Sequence, residues 1–293
     1  RHINRGRATS ATLMEMYHKR IQTPLLPVRR AMNSWAARND ARLFGAVRGM
    51  SEAGQARFNR EVMLERNARQ HGHTRTTDAD IEAASNSYDN AATESLNIGR
   101  GRADQQSVLG LEDVTDNPHY SPMKWEGKKI ARMLEEGRVS RQAIVSALER
   151  SYRAAGMSQA KDAAAVAHAV IRRAELNDME MDSSMHALLQ ADGKDFLRDT
   201  LTTSGLSEVE VDGIMNRLTG SAEDRSKEGF AKSRNDIDMS IQIETLDGGD
   251  PIQIVDLLSH DLENDWMRYT RGMSGSTALA RVGITSKAKR KDV

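Results

Sequence analysis

The 293-residue chain contains no cysteine. A disulfide framework, a thiolate metal site and a cysteine nucleophile are therefore all excluded. Aromatic residues make up only 4% of the sequence, too few to build a core out of rings. Five prolines and few β-branched runs leave little to oppose helix or to favour sheet. No apolar stretch approaches the roughly 18–20 residues that a membrane-spanning helix needs. No signal-peptide pattern is visible. The opening residues Arg1-His2-Ile3 carry no initiator methionine, the expectation for an excerpt from a longer polypeptide.

What is present is alanine, methionine and charge. Fifteen methionines and many alanines suit helix faces packed by small and adaptable side chains. The expected fold class is mainly α, made of helical bundle segments with at most one small β element. Net charge is zero, but residues 1–75 carry roughly +10 and residues 174–265 roughly −15. Opposite halves suit a chain that meets several surfaces or assembles head to tail. Solvated helix faces account for the same pattern.

Three segments follow from charge and composition: a basic helical segment over 1–75, a helical bundle over 76–220, and a charged loop, short strand and C-terminal helices over 221–293. In the first, Leu13, Met16, Tyr17 and Ile21 recur at helical spacing, Pro24 and Pro27 interrupt, and a break is expected between Gly49 and Gly54. Arginines are placed on the polar faces, Arg66 and Arg69 among them. A turn spans His71 to Asp78, and Asp78 caps a helix to about Ile98 that Gly99 and Gly101 end. Residues 108–123 read as irregular. Further helices are expected over about 127–136, from a Ser140 cap to Ala155, over 159–177, 184–189 and 195–202, and from a Ser207 cap over 208–218. The alternation Ile237, Met239, Ile241, Ile243 predicts a strand over 237–246. A long helix is expected after Pro251 to Arg271, with Gly272 and Gly275 flanking a shorter one. The tail Lys287-Ala288-Lys289-Arg290-Lys291 is basic.

Candidate contact residues for nucleic acid or a partner are Arg29, Arg30, Arg38, Arg42, Arg48, Arg57 and Arg60. Guanidinium groups neutralise phosphates without reading sequence, but they also pair with carboxylates of neighbouring chains. His71 and His73 lack the further ligands a metal requires. Asp236 and Asp238 fit an arginine-paired structural role better than acid–base work. Ser274-Gly275-Ser276 lacks a nucleophile frame, and Gly99-Arg100-Gly101 is too short to cradle phosphate. Trp125 with Tyr120, and Trp266 with Tyr269, read as packing anchors. No catalytic, cofactor or metal residues are assigned.

Three stretches carry a family resemblance. They are Tyr88 to Lys129, with Asn117-Pro118-His119-Tyr120-Ser121-Pro122 and Trp125; Ser233-Arg234-Asn235-Asp236-Ile237-Asp238; and Ile254-Val255-Asp256-Leu257-Leu258 followed by Asp261, Trp266, Tyr269, Ser274-Gly275 and Ala278 to Ile284. This order, over roughly residues 85–285, resembles the interior of the large internal core protein of short-tailed phages, the one bearing a lytic transglycosylase domain in another segment. The resemblance implies a protein ejected ahead of the genome that refolds with a second internal virion protein, and with copies of itself, into a channel across the host periplasm. Double-stranded DNA would be passing cargo. An accessory region of a peptidoglycan-degrading transglycosylase and a basic DNA-binding module are the alternatives.

Overall fold

The computed structural model describes residues 14, 23–39, 52–101, 108, 119, 124–155, 157, 159–175, 191–223 and 237–282. Among these residues the chain is mainly helical, with one two-stranded antiparallel sheet. The expectations placed on Leu13, Met16, Tyr17 and Ile21, on residues 184–189, and on the basic tail lie outside them. The described residues divide into two compact units. One takes those up to His119 together with 260–282; the other takes 124–223 and 237–259. This division follows spatial contact, whereas the boundaries at 75 and 220 follow charge along the chain.

The first unit holds α1 (Thr23–Asn39), α2 (Glu52–Gln70), α3 (Ala79–Arg100) and α9 (Leu262–Arg281), with α1, α2 and α9 all packed on α3. Pro24 and Pro27 do not interrupt α1. Pro24 is its second residue, where the N–H has no partner within the helix, whereas Pro27 lies inside the helix and forgoes one hydrogen bond without ending it. Leu25, Val28, Met32, Trp35 and Ala36 then form one buried stripe. Gly54 belongs to α2, while residues 49–51 of the expected break lie outside the described residues.

The Asp78 side chain caps α3, accepting from the N–H groups of Asp80 and Ile81. The helix runs past Gly99 to Arg100 and stops at Gly101, whose φ of 76° is open to glycine at little cost. α9 passes straight through Gly272 and Gly275, so the expected break there is absent. The few aromatics act in pairs between helices. Trp35 meets Phe58 edge-on at 5.7 Å, and Tyr88 meets Trp266 edge-on at 5.6 Å.

The second unit holds α4 (Gly127–Glu135), α5 (Arg141–Ala154), α6 (Ala160–Glu175), α7 (Ala191–Thr203) and α8 (Glu208–Glu223), with β1 (Gln242–Ile243), β2 (Ile252–Gln253) and a 3-10 turn over Ile254–Leu257. α6 is its centre, with α4, α5, α7 and α8 all packed on it. Ala163, Ala165, Val166, Ala167, Ala169, Val170 and Ile171 are all buried. Burial on nearly every side is what a central helix requires, and alanine lets its neighbours approach closely. The caps are local: Ser140 Oγ accepts from Ala143 N at 3.0 Å, and Ser207 exchanges bonds with Glu210.

The strand expected over 237–246 is much shorter in the fold. Residues 239 and 240 form a turn in which Asp238 Oδ1 accepts from Ser240 N at 2.9 Å, and only Gln242 and Ile243 enter the ladder. The alternation still selects the inner face, since Ile237, Met239 and Ile243 are buried. Single bridges between Trp125 and Leu258 and between Val139 and Thr245 join this hairpin to the α4 region.

Candidate functional site

The seven candidate arginines fall in the basic N-terminal segment, and the structure places five of them. Arg29 forms a two-pronged pair with Glu263 of α9. Arg38 bridges Asp78 and Asp80 at the start of α3, at 2.9 and 2.6 Å. Arg60 pairs with its neighbour Glu61 at 2.9 Å. Arg30 and Arg57 are exposed. Arg42 and Arg48 lie outside the described residues. At least three of the five described candidates thus hold carboxylates of the chain itself.

The densest polar arrangement lies inside the first unit and was not legible beforehand. Arg66 was expected on a polar face, yet it is fully buried and retains 1% side-chain exposure. Its Nε donates to Asp89 Oδ1 at 3.0 Å, and its guanidinium lies 5.2 Å from the centre of the Tyr88 ring. Asp89 is a hub. Its other oxygen accepts from Arg69 Nη1 at 3.0 Å and meets His119 Nδ1 at 2.9 Å. Arg69 Nε also donates to Glu65 Oε1 at 2.8 Å. Glu65 Oε2 receives the backbone N–H groups of Arg75 and Thr76, each at 2.8 Å. Gln70 donates to the His119 carbonyl at 3.1 Å.

Burial disfavours the charges of Glu65, Arg66 and Arg69, and the partners answer it. Burial pushes the Glu65 carboxyl up, but the bonds from Arg69 and from the Thr76 and Arg75 N–H groups outweigh it. The carboxyl is held below its ordinary value. Burial pulls the Arg66 guanidinium below its ordinary value, with Asp89 working the other way. Burial likewise raises the phenol of Tyr88. A carboxyl that works as a general acid near neutral pH is tuned upward. Glu65 moves in the opposite direction, held ionised by Arg69 and by backbone N–H groups.

Other sequence-selected residues have local roles. His71 and His73 are exposed in the turn after α2. Among the described residues no group of three or more His, Asp or Glu is placed to hold a metal. Ser274 and Ser276 are buried within α9. Asp238 closes a turn rather than meeting an arginine. Trp266 and Tyr269 pack together with ring centres 5.5 Å apart, while Tyr120 lies outside the described residues.

No protein-family model matches the chain, and no curated protein matches it. Its function is therefore argued from its own residues. Among the described residues no helix is long and apolar enough to cross a membrane.

Proposed function

We propose that this chain is a non-catalytic structural part of the genome-ejection apparatus of a short-tailed phage. It assembles with a second internal virion protein and with copies of itself into a channel across the host cell envelope. Its place is the virion interior before infection and the host periplasm afterwards. Double-stranded DNA passes through the assembly without being read.

The observation that supports this reading is the use to which the polar residues of the first unit are put. Glu65 and Asp89 are committed to arginines and backbone N–H groups, and the Glu65 carboxyl is shifted away from the range useful for proton transfer. Such a network fixes which helix lies against which and in what register. The family resemblance over residues 85–285 supplies the setting, and the mainly helical fold agrees with it.

The test is electron microscopy of the chain mixed with candidate internal virion proteins, with peptidoglycan turnover measured in parallel. Rings or tubes containing the chain, with no glycan cleavage, support the proposal. Peptidoglycan clearing by the chain alone overturns it in favour of the transglycosylase reading. Salt-sensitive DNA binding without any assembly overturns it in favour of a DNA-binding module.

A further inference from the structure

Within the second unit, α5, α6 and α7 enclose a cleft of about 450 Å³ lined by Arg141, His168, Arg172, Glu175, Thr200, Thr203 and Ser204. That volume lies within the range of small-ligand sites. From the positions of its donors we infer that this cleft binds a phosphate-type oxyanion, held between the guanidinium groups of Arg141 and Arg172. The inference is independent of the ejection reading.

Both guanidiniums already have polar neighbours in the structure. Arg172 Nη1 donates to Thr200 Oγ1 at 3.2 Å, its Nη2 pairs with Asp199 at 2.7 Å, and its Cζ lies 5.5 Å from the Phe196 ring centre. Arg173 lies at the same ring, at 4.8 Å. Arg141 Nε donates to Glu175 at 2.9 Å, and its Nη1 lies 3.3 Å from His168 Nδ1. These bonds leave Nη2 of Arg141 and Nε of Arg172 without a partner among the described residues. The Phe196 ring beside Arg172 limits the freedom that this guanidinium loses when it grips an anion.

The imidazole adds a donor. Arginine cannot accept, so the contact from Arg141 makes His168 Nδ1 the acceptor and leaves the proton on Nε2. Burial, then the Arg141 charge, hold the imidazole below its ordinary pKa, with Glu149 opposing them. Arg141 is also the first residue of α5, where the helix dipole disfavours a cation and where no acidic side chain occupies the first turn. An oxyanion beside it relieves that cost.

The carboxylates present do not close the cleft to an anion. Glu175 and Asp199 sit in partly exposed pairs, which are worth little in water and open readily. The hydroxyl hydrogens of Thr200, Thr203 and Ser204 are directed to carbonyls of their own helix. Those groups therefore shape the wall, and the grip comes from the two arginines and the histidine.

The experiment titrates the whole chain with inorganic phosphate at low ionic strength, by calorimetry and by NMR of the histidine rings. Saturable binding is expected. Arg141→Gln and Arg172→Gln should each weaken it by about tenfold or more, the worth of one charge-assisted hydrogen bond. Arg132→Gln, on an exposed side chain outside the cleft, should leave it unchanged. Bound phosphate should raise the pKa of His168, a response that a purely structural arginine would not produce. Arg172→Lys keeps a cation and should retain part of the affinity, which separates lost binding from lost folding. A short DNA duplex is then added as competitor. Displacement of phosphate identifies a polynucleotide backbone as the source, and no displacement identifies free phosphate or a small phosphate ester. Absence of saturable phosphate binding, or binding that Arg141→Gln and Arg172→Gln leave intact, overturns the inference.

Discussion

Arg66 of α2 donates to Asp89 of α3 across 3.0 Å in the interior of the first unit, with Tyr88 beside the guanidinium. Removing one member of such a pair leaves a charge stranded in a poor solvent. Asp89→Asn is expected to destabilise the first unit by about 3–5 kcal/mol. The double change Arg66→Met with Asp89→Leu should cost less than the sum of its parts, because the Arg66 charge is no longer stranded, although Arg69 and His119 still lose their Asp89 contact. Urea unfolding followed by circular dichroism reads both. A loss below about 1 kcal/mol for Asp89→Asn would show that water reaches the pair.

Acid should act through Glu65. Its folded-state pKa is lowered, so the stability it contributes is fully present above the ordinary carboxylate value, about 4.3, and is lost as pH falls through the folded value. The urea midpoint of the wild type should fall as pH drops from about 5 to about 3. Glu65→Gln should be weaker at pH 7 and show a shallower decline over the same window. Equal slopes for the two proteins would remove Glu65 from the explanation.

Two glycines should respond in opposite directions to alanine. A Cβ on Gly275 meets nothing within 4 Å, and the residue lies inside α9. Gly275→Ala is expected to stabilise by about 0.5–1 kcal/mol, as for a helix interior with room for the added methyl. Gly137, just after α4, has a φ of 65° with equal room around it. Gly137→Ala should destabilise by about 1 kcal/mol through backbone strain alone. Thermal unfolding of both variants checks the contrast, and shifts of the same sign would contradict it.

The second unit should be sensitive to truncation rather than to charge. Leu148 of α5 is completely buried, and α5 packs on α6. Leu148→Ala should cost about 2–5 kcal/mol, the upper end applying if alanine-rich α6 cannot close the gap. A cost under 1 kcal/mol would mean that the helices collapse onto the cavity.

Some of this was legible because it is local. The Asp78, Ser140 and Ser207 caps each join a side chain to a backbone N–H two or three residues on, a relationship that spacing alone specifies. The stripe Ala163, Val166, Ala167, Val170 and Ile171 was visible for the same reason. Other errors came from treating single residues as absolute breaks. Gly272 and Gly275 are penalised in helices, but burial of Trp266, Met273 and Ala278 in α9 outweighs a cost of about 1 kcal/mol each. The strand over 237–246 was over-read, since its alternation reports one buried face and not the presence of a pairing partner.

The candidate site divides along the same line. That Arg29, Arg38 and Arg60 carry charge was plain from the sequence; that each meets a carboxylate of this chain depends on where Glu263, Asp80 and Glu61 come to rest. Arg66 and Arg69 looked like solvent-facing residues because helical periodicity cannot distinguish a buried arginine with a partner from an exposed one. The cleft residues Arg141, His168, Arg172 and Thr200 lie on three helices, and nothing in their spacing announces that they meet.

By itself the sequence determined the helical class, the ends of several helices and the exclusion of cysteine chemistry, because composition, capping and periodicity act over a few neighbouring residues. Only the tertiary structure decided that Asp89 gathers Arg66, Arg69 and His119, that α6 is a central helix, and that two arginines face one cleft. Those outcomes depend on which helices pack together, and packing is settled by contacts between residues far apart in the chain.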